Sequence, residues 1–142
     1  NIRLIVVKTC SDRGHGDAAE LSPGELLLNP RMPLALVNPE LLSVSSELST
    51  EVEGCLSLPG VDGRVTRPAR VLLRASTLDG EVLTVECAGL LARCLQHEID
   101  HLDGRLFYDC LSGEEQRRNA AVMRSLERVE QERLVRSEKR SG

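Results

Sequence analysis

With 142 residues, 41% of them hydrophobic and 28% charged, and a formal net charge of -4, the chain is sized for one domain with a single core. No apolar run approaches the roughly 18 residues of a membrane span, and no basic, apolar and small-residue secretion signal opens it, so no membrane partner is expected. Phe107 and Tyr108 are its only aromatic residues, which excludes recognition by stacked rings, as in many single-strand nucleic-acid binders, and leaves the core to Leu and Val.

Asn1 leads at once into Ile2-Arg3-Leu4-Ile5-Val6-Val7, a run with the β-branched content of a buried strand. A domain rarely begins on a core strand, so an N-terminal piece is expected to precede it. Residues 10–33, with Gly14, Gly16, Pro23, Gly24, Pro30 and Pro33, predict a long surface connection, interrupted at most by a short strand at Leu26-Leu27-Leu28. Residues 34–37 predict a second strand. Residues 71–77 and 82–87 flank Asp79-Gly80, the strongest short-range signal for a hairpin.

From Ala88 onward Leu91, Cys94 or Leu95, and Leu102 keep helical spacing with one polar member, Glu98, and Gly104 supplies a stop. Ser112-Gly113-Glu114-Glu115 matches a capping box that opens a last helix, with Val122, Leu126 and Val129 on one side and frayed charge from Arg136 on. Residues 111–142 carry eight Lys/Arg against six Asp/Glu, leaving ten against sixteen before them, so the body is acidic and the tail mildly basic. A mixed-sign helix is most often a solvated face, and sequence-specific nucleic-acid binding is not expected. The expected organisation is a core over residues 1–112 followed by a helix and charged tail over 113–142.

His97-Glu98-Ile99-Asp100-His101 falls inside the predicted helix, where the i, i+4 spacing stacks both imidazoles on one face. Two ligands then point at one metal, and Glu98 can reach a water on that metal without occupying a coordination position. Average residue usage would produce this pattern in a chain this long on the order of a few times per thousand, so coincidence is a poor explanation. A catalytic site of this kind wants a third protein ligand and one open position. A third His six residues after the second is excluded, because that position is Phe107. Glu114 or Glu115 would serve a zinc endopeptidase, although capping already accounts for Glu115.

The other candidates are His15 and the five cysteines, an odd number with no short-spaced pair, which argues for a reduced, cytoplasmic setting and against a CxxC motif. Of these Cys55 stands out, because Gly54 and the Pro59-Gly60 turn let backbone approach closely and present a thiolate.

Glu53-Gly54-Cys55-Leu56-Ser57 together with Gln96-His97-Glu98-Ile99-Asp100-His101-Leu102 resembles the second and third signature motifs of peptide deformylases, metallohydrolases that remove the formyl group from N-formylmethionine on new polypeptides. The likeness extends through residues 37–42, 65–67, the Asp79-Gly80 hairpin and Gly104-Arg105-Leu106-Phe107. It implies an α+β fold of short, mostly antiparallel strands packed around a central metal-binding helix, with a C-terminal helix. It also implies that Cys55, His97 and His101 bind one divalent ion, Fe2+ in much of the family with Zn2+, Ni2+ or Co2+ able to substitute. Glu98 would be the acid/base that shuttles a proton from water to the departing amine, and the backbone N–H of Leu56 would meet the oxyanion. Gly54, Leu90 and Cys94 would contact substrate, an N-formylmethionyl nascent peptide, and the basic last helix would touch the ribosome. The family's first motif, of the type Gly-x-Gly-x-Ala-Ala-x-Gln, lies upstream of the opening strand. Gly14-His15-Gly16-Asp17-Ala18-Ala19-Glu20 has a similar spelling but follows that strand and lacks the Gln, so it is expected to be a loop insertion.

Overall fold

A computed structural model describes residues 2–8, 21–55 and 58–141. It divides into two compact units, one of Asn1–Ser49 with Thr66–Leu106, the other of Thr50–Val65 with Phe107–Gly142.

The first unit is built on an antiparallel sheet. Its strands are β1 (Leu4–Val7), β2 (Leu34–Val44), β5 (Arg70–Ser76) and β6 (Val82–Ala88), hydrogen-bonded in the order β1-β2-β5-β6. Along β1 burial alternates, with Ile5 and Val7 inward, as a strand with one covered face requires. The hairpin β5–β6 forms at the expected place, with Gly80 at φ +86° and its N–H donating to the Thr77 carbonyl. Strand β2 is longer than expected, because a register shift between Val37 and Glu40 accommodates Asn38 at φ +50° and Pro39, which cannot donate to a ladder.

The expected surface connection before β2 is in part a helix, α1 (Pro23–Leu28), and not a strand at Leu26–Leu28. The cause is local. Ser22 caps it by accepting from the Glu25 N–H, the Glu25 carboxylate reaches back to the Ser22 N–H, and Pro23 begins the first turn. Leu28 is fully buried, and Gly24 lies so close to Cys87 of β6 that no side chain fits between them. Ser22 Oγ also accepts from the Ala88 N–H, tying α1 to the end of β6.

Helix α2 (Gly89–Leu102) covers the sheet, placing Leu91, Leu95 and Ile99 in the same buried cluster as Ile5, Leu36, Val71 and Leu73. Each fully buried Leu contributes about 1.5–3 kcal/mol relative to an exposed one. The helix stops at Gly104 (φ +78°), where the Gly104 N–H donates to the His101 carbonyl and the Arg105 N–H to the Asp100 carbonyl, the paired bonds of a Schellman end.

A two-stranded sheet, β3 (Leu48–Gly54) with β4 (Asp62–Pro68), was not apparent in the sequence pattern. Helix α3 (Gly113–Ser141) runs on through the charged end that was expected to fray. Its first half is held by side-chain hydrogen bonds. Asn119 donates to the Asp62 carbonyl, the Gln116 side chain donates to the Tyr108 carbonyl while the Tyr108 hydroxyl donates to the Gln116 carbonyl, and Val129 is exposed rather than packed. Ser112 Oγ accepts from the Glu115 N–H as a cap should, but the return bond is not made: the Glu115 carboxylate accepts from the Arg64 N–H.

Candidate metal centre

An α-helix turns about 100° per residue, so the side chains of α2 sort into sectors. Leu91, Leu95, Ile99 and Leu102 form the apolar stripe that faces the sheet. Arg93, Gln96 and Asp100, at i, i+3 and i+7, form a second stripe, and His97 and His101 follow it by one residue. Glu98 lies between the histidines and the apolar stripe. The periodicity therefore places the expected acid/base beside, not within, the ligand row.

His97 Nε2 and His101 Nε2 are 3.0 Å apart, with ring centroids 4.8 Å apart and ring planes inclined by 53°. Two imidazole nitrogens on one tetrahedral ion, each at about 2.0–2.1 Å, stand about 3.3 Å apart. The pair is thus set near the spacing that one ion demands. Cys55 follows the end of β3, and its carbonyl accepts from the Leu58 N–H in a turn that continues with Val61 N–H to the Leu58 carbonyl and Gly60 at φ +82°. Among the described residues one group of three could hold a metal ion: Cys55, His97 and His101, whose ligand atoms all lie within 4.8 Å of one another, each residue half-buried. One sulfur and two imidazole nitrogens suit Fe2+, Co2+, Ni2+ or Zn2+ and leave a fourth position open.

Glu114 and Glu115 are not members of that group. Glu98 is half-buried, Cys94 is half-buried against the core of its unit, Leu90 is 51% exposed, and Gly54 closes β3 with the Val61 carbonyl 3.6 Å from where a Cβ would stand. Leu56, His15 and the Gly14–Glu20 segment lie outside the described residues. Among the cysteines Cys87 is the opposite of a ligand: it is fully buried, and burial, with Glu25 and Glu86 nearby, pushes its thiol from 9.0 up to about 12.

The polar stripe of α2 was not anticipated. Arg93 Nη2 donates to the Ser49 carbonyl at 2.7 Å, Gln96 Nε2 to the Pro68 carbonyl at 3.0 Å, and Asp100 Oδ2 accepts from Arg67 Nη1 at 2.7 Å. Polar residues at helical spacing ordinarily mark a solvent face; here Arg93 and Gln96 are buried, and the spacing carries no signal that distinguishes the two cases.

An α+β chain with a His-Glu-x-x-His helix and a cysteine beside the paired imidazoles has the form of a metallohydrolase of the deformylase type. The family model described as "Polypeptide deformylase" matches residues 1–117, and the chain belongs to that family. It is 53% identical over 89 residues to a peptide deformylase of Nitrobacter hamburgensis, covering 63% of this chain and 49% of that one. To a peptide deformylase of Rhodopseudomonas palustris it is 45% identical over 106 residues, covering 75% and 57%. A solved peptide deformylase of Ehrlichia chaffeensis is similar with a TM-score of 0.70 at 30% identity, covering 93% of this chain and 69% of that chain. The chain spans about half the length of the curated relatives it matches.

Proposed function

We propose that this protein hydrolyses the N-formyl group of N-formylmethionyl peptides, releasing formate. The observation that carries the reading is the convergence of Cys55 Sγ with the ring nitrogens of His97 and His101. A thiolate and two neutral imidazoles give a site of net charge 1+ with a divalent ion, which when bound supplies the Lewis acidity that acidifies a water and polarises the formyl carbonyl.

The chain's own residues do the rest. Glu98, one position from His97 and off the ligand row, accepts a proton from the attacking water and returns it to the amine as the C–N bond breaks, so water and formamide become formate and a free amino terminus. The backbone N–H of Leu56, next in sequence to Cys55, donates to the oxygen that gains charge. Leu90 and Cys94, at i and i+4 on α2, offer an apolar surface to the methionine side chain, and Gly54 leaves room for peptide backbone to approach. Fe2+ is the native ion, the setting is cytoplasmic, residues 1–112 are the catalytic core, and residues 113–142 are an appended helix whose basic charge touches the ribosome.

Formate release from formyl-Met-Ala-Ser under anaerobic conditions with Fe2+ or Ni2+ tests the reading. Turnover that disappears in Cys55→Ala supports it. Full metal occupancy without formate release would overturn catalysis in favour of a metal-binding relative. Metal binding and peptide cleavage that survive Cys55→Ala would favour an endopeptidase with a downstream Glu ligand. Salt-dependent loss of ribosome co-sedimentation on deleting residues 113–142 tests the contact, and unchanged sedimentation overturns it.

A further inference from the structure

We propose that Arg67, acting through Asp100, is a positioning residue that fixes the roll of α2 and so the aim of His97 and His101. The inference rests on the metal reading above. Arg67 occupies an inward position of β4 and is 5% exposed. Burying a guanidinium is costly unless it is paired, and such pairs contribute little net stability compared with apolar residues of similar volume. What a buried pair supplies is direction.

Direction is what the apolar stripe of α2 lacks. Contacts between Leu91, Leu95, Ile99 and the sheet are non-directional, and such a stripe tolerates rotation about the helix axis. A roll of about 20° carries an atom roughly 6 Å from the axis through about 2 Å. That displacement equals a whole metal–nitrogen bond. Directional bonds oppose it, among them those from Arg93 to Ser49, from Gln96 to Pro68 and from Arg67 to Asp100, which lie within a sector of about 60° beside the histidines. The last is charge-assisted and falls one residue from His101, where the helix ends and a ligand is most free to drift. The carbonyl of the same Asp100 takes the N–H groups of Asp103 and Arg105, so the residue held by Arg67 also closes the terminal turn.

Cobalt-loaded protein, prepared anaerobically, reports the geometry by its ligand-field bands and the sulfur ligand by its near-ultraviolet charge-transfer band. Arg67→Gln and Asp100→Asn are each expected to shift the ligand-field bands and weaken Co2+ binding about tenfold or more, while unfolding stays cooperative. Arg67→Lys, which keeps the charge, should recover part of both. Should a lone charge prevent the single variants from folding, Arg67→Met/Asp100→Leu removes both charges together and should fold with the same spectral change. A folded variant, single or double, with the parent's bands and affinity overturns the positioning role. A parent protein that takes up Co2+ without the sulfur band, or does not take it up, overturns the metal reading and this role with it.

Discussion

The Nε2 atoms of His97 and His101 stand 3.0 Å apart across one turn of α2. Their i, i+4 spacing supplies the shared face, the Schellman end at Gly104 and Arg105 keeps the last turn wound, and the result is a pair already close to the separation one ion imposes. With two nitrogens set in advance, the sulfur is the component whose removal is most diagnostic.

Cys55→Ala should therefore lose the near-ultraviolet sulfur band of cobalt-loaded protein while weak binding to the histidine pair persists. The fall in affinity should exceed the roughly 10- to 100-fold typical of losing a partner one shell out. Metal titration followed by absorption checks both.

Glu98→Gln should leave metal content as in the parent and lower formate release by about 10²- to 10⁴-fold, the range associated with a positioned acid/base. Metal analysis alongside the formate assay separates this from loss of the ion; a metal-loaded variant with parental turnover would remove Glu98 from the role.

Cys87 provides the pH dependence. Its thiol ionises near 9.0 when unfolded and near 12 in the fold, so below pH 9 both states keep the proton and this group adds no slope. Above pH 9 the unfolded chain gives up its proton first, and stability falls as pH rises toward 12. Denaturant unfolding across pH 8 to 11 checks the sign. Maleimide labelling of the native protein at pH 8 should mark the exposed Cys110 and leave the buried Cys87 unmodified.

In α1, Ser22→Ala removes the cap and the acceptor for Ala88 together, and should cost about 1–2 kcal/mol. Gly24→Ala should cost about 1–3 kcal/mol, because the added carbon would overlap Cys87 Sγ and lie 2.7 Å from the Glu86 carbonyl oxygen. Chemical denaturation measures each.

The histidine pair and the β5–β6 hairpin were legible because their signals are local: a four-residue spacing on a helix and an Asp-Gly turn between alternating strands. Cys55 was not legible by spacing, since it lies 42 positions before His97; its flanking Gly54 and Pro59-Gly60 drew attention to it, and the likeness of Glu53–Ser57 to a known motif paired it with the helix. Helix α1 was hidden by Pro23 and Gly24, which resemble a loop until Ser22 and Glu25 are taken as a reciprocal cap. Strands β3 and β4 escaped because their inward residues include Glu53, Gly63 and Arg67, so the alternation that marks a half-buried strand is absent. Arg67 and Asp100, 33 positions apart, each looked like ordinary surface charge.

Among the described residues strand β1 ends the order of its sheet, bonded to β2 alone, with Leu4 and Val6 turned outward and 47% and 58% exposed. A backbone edge flanked by bare aliphatic side chains is a template onto which another polypeptide can add. Concentrated solutions of the chain should accordingly self-associate through this margin, with Arg3 and Lys8 as the charged brakes at either end, and Val6→Lys should raise solubility without touching the chemistry of α2.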